Sequence, residues 1–124
     1  MNSSNFQRLT RLVAGLAGFL ALGLDALTSH LWQKHLSISD LDHIHTALQL
    51  LFVHALLLAL LGTKSITNRW LQASVWLILT GMIAFSGGIL LATLTAWPSI
   101  RSIVPVGGTA WMLAWLALAA SASG

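Results

Sequence analysis

Cysteine is absent from this 124-residue chain, and charge is scarce: six Lys or Arg, three acidic residues, 7% charged in all. Without cysteine there is no disulfide, no thiolate metal ligand and no thiol nucleophile. A soluble domain carries about a quarter charged residues, so this chain cannot cover an ordinary water-facing surface. The acids are Asp25, Asp40 and Asp42. With two of them in one loop, no nucleophile–base–acid constellation forms, and an enzyme is not expected. The cations (Arg8, Arg11, Lys34, Lys64, Arg69 and Arg101) are scattered. A nucleic-acid binder needs a basic stripe that neutralises successive phosphates. Here the cations flank apolar runs instead, so nucleic acid is not an expected partner.

What the chain has in quantity is apolar sequence, at 56% hydrophobic residues. Crossing a bilayer takes about 20 mostly apolar residues, and four segments qualify, at about 12–32, 44–61, 70–97 and 103–120. The first is not a cleaved signal peptide on this reading. Its apolar run continues to Leu31 with no small-residue cleavage site ahead of a polar region. Ser39 or Asp40 is the expected N-cap of the second helix. Short links make sequential helices antiparallel neighbours. The expectation is one transmembrane domain over 1–124, an all-α four-helix bundle whose immediate partner is the lipid bilayer. Arg8, Arg11, Lys64 and Arg69 fall on one side and Lys34 and Arg101 on the other, which puts both termini in the cytoplasm by the positive-inside rule. Trp32, Trp70 and Trp97 stand at predicted helix ends, where amphipathic rings favour the interface.

Small residues recur at helix-contact spacing. Ala14, Gly18 and Ala21 share a face of the first helix that continues to Asp25. Ala84, Gly88, Ala92 and Ala96 recur every four residues in the third, with Gly81 and Gly87 nearby. In lipid, close backbone approach must hold helices together, so these stripes mark seams within one chain or against a second copy. "FSGG" (85–88) has the residues of a kink or a tight crossing. Pro105 suits a helix first turn, and Gly107 and Gly108 leave room for a neighbouring backbone or a ligand.

The polar residues inside these segments are the candidate site. Asp25 lies well inside the first helix, where an acid costs about 2.5–3.5 kcal/mol on insertion scales. It must pair or be protonated. Counting from a hairpin turn near Ile38, Asp25 lies thirteen residues before and His54 sixteen after, a depth difference of about 4–5 Å. Asp25 and His54 are therefore the expected pair, and His30 with His45 the second. The functional reading is a proton or cation site; the structural one is a neutral interhelical hydrogen bond. His43, His45 and His54 do not form a metal cluster on one helix, because their spacing sends them to different faces or depths. No metal or cofactor is expected. Thr46 and Ser86 are further polar candidates. Ser86, Thr80, Thr93 and Thr95 together are able to line a polar path, but hydroxyls in membrane helices usually bond their own backbone, which is the expected use of all four. Trp111 and Trp115 share one face, for packing or lipid contact.

Three stretches together, "HTALQLLFVHAL" (45–56), "FSGGILLATL" (85–94) and "VPVGGTAWMLAW" (104–115), resemble a small bacterial inner-membrane family. It is domain-of-unknown-function family 423, with its YgdD-like proteins. The matching residues are Thr46-Ala47 with His54-Ala55-Leu56, Phe85-Ser86-Gly87-Gly88, Pro105-Val106-Gly107-Gly108 and Ala114-Trp115. His30 is kept from the family's first-helix run, where Asp25 and Thr28 stand in place of glycines, and Leu50-Leu51 replaces a Tyr-Gln. The resemblance implies the four-helix fold and the bacterial cytoplasmic membrane, and it implies no biochemical activity. The expected function is a non-catalytic interaction, assembly or accessory membrane protein, working as a homo-oligomer or in a larger membrane complex. The alternative is an oligomeric small transporter or channel handling a proton or ion through Asp25 and His54.

Overall fold

The structure, a computed structural model, describes residues 2–123. Four helical spans are long and apolar enough to cross a membrane, and no strand occurs among the described residues. The chain is an all-helical membrane bundle. Helix α1 (Ser3–His30) starts where the Asn2 side chain accepts a hydrogen bond from the Asn5 N–H at 2.8 Å. Its helical backbone thus reaches well ahead of the apolar run. A short 3₁₀ turn at Trp32–Lys34 leads to α2 (Ile38–Leu61). The N-cap of α2 is Ser37, whose Oγ accepts from the Asp40 N–H at 3.0 Å, and not Ser39 or Asp40, which lie inside the first turn.

The third span is α3 (Arg69–Gly81), a π-helical segment (Met82–Gly87) and α4 (Gly88–Leu94). A 3₁₀ stretch, Pro98–Ile103, then feeds α5 (Val104–Ala120). Pro105 sits in the first turn of α5, where its missing N–H costs nothing. Between α2 and α3 the loop is pinned by Ile66, which is buried, and by the Gln72 amide donating to the Ile66 carbonyl at 3.2 Å.

Helix α1 packs on α2, α2 on the π segment and α4, and α3 on α5. The α1–α2 seam is built from Ala14, Ala17 and Ala21 on one side and Leu48, Leu51, Ala55 and Leu58 on the other. Gly18, expected in that seam, is only half-buried, and a Cβ there would meet nothing within 4 Å. Ala17 takes its place. Ala84, Gly88 and Ala92 are buried as expected of a seam, but Ala96 is not in a helix. It is exposed in the turn after α4 with φ 53°, the left-handed conformation that ends the span.

Large apolar side chains cover the outside, including Phe19, Ile83, Met112 and Leu116. That distribution suits a lipid surround and not water. An apolar groove of about 650 Å³ opens between α1 and the third span, with Leu20, Leu24, Trp76, Ile83 and Leu90 along its walls.

Candidate functional site

The π-helical segment organises the polar interior. A π turn carries one extra residue relative to an α turn, and such bulges recur at functional sites. Here it coincides with Phe85-Ser86-Gly87. Helix α5 packs directly on it: a Cβ on Gly107 would lie 2.3 Å from the Phe85 nitrogen and 2.8 Å from its Cβ. Only glycine lets α5 ride this close on the Phe85 backbone. Gly108, by contrast, would find its nearest neighbour at 3.6 Å, an ordinary contact. Gly81 serves a different need. It leaves space for the Trp111 indole, whose atoms would otherwise lie 2.2 Å from a Cβ there.

His54 is 4% exposed and lies in an aromatic clamp. Its ring stacks on Trp111 at 3.9 Å between centroids and 5° between planes, and Trp115 meets it edge-on at 6.1 Å. Nδ1–H donates to the Leu50 carbonyl at 2.7 Å, and Nε2 accepts the Trp115 indole N–H at 3.2 Å. That arrangement uses both nitrogens of a neutral imidazole. Trp111 in turn donates to the Ile78 carbonyl at 3.1 Å and packs on Phe85 at 4.9 Å. Two serines complete the stitching between spans. Ser74 Oγ donates to the Ala114 carbonyl at 2.9 Å and Ser86 Oγ to the Ala47 carbonyl at 2.8 Å. Neither hydroxyl follows the usual habit of bonding its own helix. Thr28 and Thr10 do, bonding the Leu24 and Phe6 carbonyls. No buried side-chain polar atom is left without a partner among the described residues.

Asp25 is elsewhere. It is paired not with His54 but with His45, whose Nδ1 lies 3.3 Å from Oδ1. Nor is it buried in the bundle: the side chains of Asp25 and His45 are 51% and 42% exposed. Asp25 borders a notch of about 180 Å³ on the outer face of the α1–α2 hairpin, lined also by Ala21, Leu22, Leu48, Gln49 and Phe52. His30, expected opposite His45, is exposed at the end of α1 and makes no side-chain hydrogen bond among the described residues, and Thr46 is exposed on α2. His43 turns to another face of α2, where its Nδ1 accepts from Arg101 at 3.2 Å, and the same guanidinium donates to Thr93 at 3.3 Å. Thr80 and Thr95 bond the Trp76 and Leu91 carbonyls of their own helix. Among the described residues no three His, Asp or Glu side chains converge as a metal-binding set.

The partners of His54 were hidden from sequence reasoning, although Trp111 and Trp115 stand on one face of α5. The available signal was that a buried imidazole needs a donor and an acceptor, and tryptophan is the natural apolar donor.

Comparison with known proteins agrees with this architecture. The family described as "Protein of unknown function (DUF423)" matches residues 24–108, which include His30, the Thr46–His54 stretch, the π segment and Gly107-Gly108. The UPF0382 membrane protein SAB0533 of Staphylococcus aureus is 30% identical over 115 residues, covering 90% of this chain and 92% of that protein. The UPF0382 membrane protein YwdK of Bacillus subtilis is 26% identical, covering 90% and 93%. The UPF0382 inner membrane protein YgdD of Escherichia coli is 26% identical, covering 87% and 84%. No solved structure matches the chain. With more than half of its residues inside the family match and its helices built for a bilayer, the chain belongs to the DUF423 family of membrane proteins.

Proposed function

We propose that this protein is a non-catalytic accessory or assembly protein of the bacterial cytoplasmic membrane, with both termini on the cytoplasmic side. The observation that carries the reading is how its polar groups are divided. Those inside the bundle (Ser74, Ser86, His54, Trp111) are spent on bonds that hold the spans together. Those left over, Asp25 and His45, look outward from the hairpin. A polar group facing out of a membrane bundle is costly unless another protein surface meets it. The inner-membrane placement is supported by the Escherichia coli relative, an inner membrane protein by name, and the orientation by four cations against two.

A transporter reading built on an Asp25–His54 couple lacks its geometry, because His54 is closed in by Leu50, Trp111 and Trp115. The test is ion and proton flux in proteoliposomes across a pH gradient, comparing the protein with Asp25→Asn. Flux equal to that of empty vesicles for both is expected. Flux that the substitution abolishes would overturn the reading.

A further inference from the structure

The outer face of the α1–α2 hairpin holds a polar notch that the bundle itself does not close. Asp25 lies five residues, about 7–8 Å along the axis, in from the end of α1 at His30. His45 bonds it from α2, and Gln49 lines the same notch one turn further along α2. No side-chain hydrogen bond among the described residues uses the Gln49 amide. Leu22, on the rim, is 60% exposed. Lipid chains offer neither donors nor acceptors to such groups.

Resting on the reading of the protein as one that works by interaction, we infer that a second copy of this chain covers the notch, through a two-fold contact between α1–α2 hairpins. Charge and hydrogen-bond complementarity choose this occupant. The notch presents an acidic acceptor and an amide that both donates and accepts, with the His45 imidazole bonded to that acceptor beside it. A set holding both halves of each interaction is complementary to itself under two-fold symmetry. Across the axis each carboxylate meets the other copy's imidazole or amide.

The helix surface beside the notch permits the approach. Gly15, Gly18, Leu22 and Asp25 follow steps of three, four and three, so they share one stripe of α1. A Cβ at Gly15 or Gly18 would meet nothing within 4 Å, so the bundle's own packing does not use these glycines. The notch, at about 180 Å³, exceeds the cavity of about 150 Å³ that takes benzene. It therefore has room for one side chain from the opposing face.

Because the chain has no cysteine, single-cysteine variants give clean probes. Purified protein would be reconstituted at low density in phosphatidylethanolamine–phosphatidylglycerol vesicles, where only copies of itself are available. Leu22→Cys, treated with a short bis-maleimide, is expected to give a product of twice the monomer mass. Met112→Cys, on exposed α5 surface, is expected to stay monomeric. Fluorophore-labelled protein with no cysteine added should bleach in two steps, and Gln49→Leu combined with Asp25→Asn should weaken association about tenfold or more. Single-step bleaching, or equal cross-linking at positions 22 and 112, overturns the second copy. A Leu22→Cys adduct in native membranes to a polypeptide of different mass also overturns it, while leaving the interaction reading standing. Flux in the vesicle assay above would sink that reading instead.

Discussion

Trp115 gives His54 one hydrogen bond and an edge contact and is itself 45% exposed, so replacing it by phenylalanine removes the bond with little loss of buried packing. Trp115→Phe leaves Nε2 of a buried imidazole without a donor, an expected cost of about 1 kcal/mol. Trp111→Phe removes the Ile78 bond and part of the 3.9 Å stack, and should cost about 2 kcal/mol or more. Thermal unfolding of the detergent-solubilised variants measures both, and the order Trp111→Phe below Trp115→Phe is the sensitive part. At this scale the sequence showed which residues were polar at depth, but not which ones meet. Counting depth from Ile38 treated 31–37 as if it carried helical rise, whereas α1 stops at His30 and the 3₁₀ turn intervenes. Counted from the helix ends, Asp25 is five residues in and His45 seven, so they are level. His45 and His54 are nine residues apart, half a revolution out of phase, and only one of them could face α1.

The third span shows what patterning does and does not disclose about an element. Its length, its apolar character and the closeness implied by "FSGG" were legible, because these depend on residue type alone. The π turn was not, since it lies where α5 seats Gly107 on the Phe85 backbone, a contact between segments far apart in the chain. Gly107→Ala should therefore be severely destabilising, by about 3 kcal/mol or more, because the clash is with backbone. Gly108→Ala, with ordinary contact room, should be neutral or slightly stabilising. Loss of folded, monodisperse protein for the first variant and not the second would be read by size-exclusion chromatography. Ala96, taken from sequence as one more seam residue, instead closes α4 at φ 53°. Alanine pays a steric penalty in that region that glycine does not, so Ala96→Gly should raise stability by about 1 kcal/mol, seen as a higher melting temperature.

For the whole molecule, contacts fix which segments share an end of the bundle. Arg101 bonds His43, so the 98–103 stretch and the α1–α2 connection lie together. At the opposite end Gly62 packs under the Arg11 side chain, and Asn68, Arg69 and Trp70 border Ser123. Four cations gather at that second end and two at the first, an asymmetry that the positive-inside rule converts into an orientation. Serine-to-cysteine replacements at exposed positions near the ends of the spans test it without altering charge. In intact cells, a membrane-impermeant maleimide should label Ser39→Cys and Ser99→Cys and spare Ser65→Cys until the membrane is permeabilised. The opposite pattern would show the bundle inverted. The cause is tested in the same assay: replacing Arg8, Arg11, Lys64 and Arg69 with Gln leaves Lys34 and Arg101 as the larger cluster. If the cations set the orientation, labelling should then shift toward Ser65→Cys, whereas unchanged labelling would mean that helix packing dictates the topology.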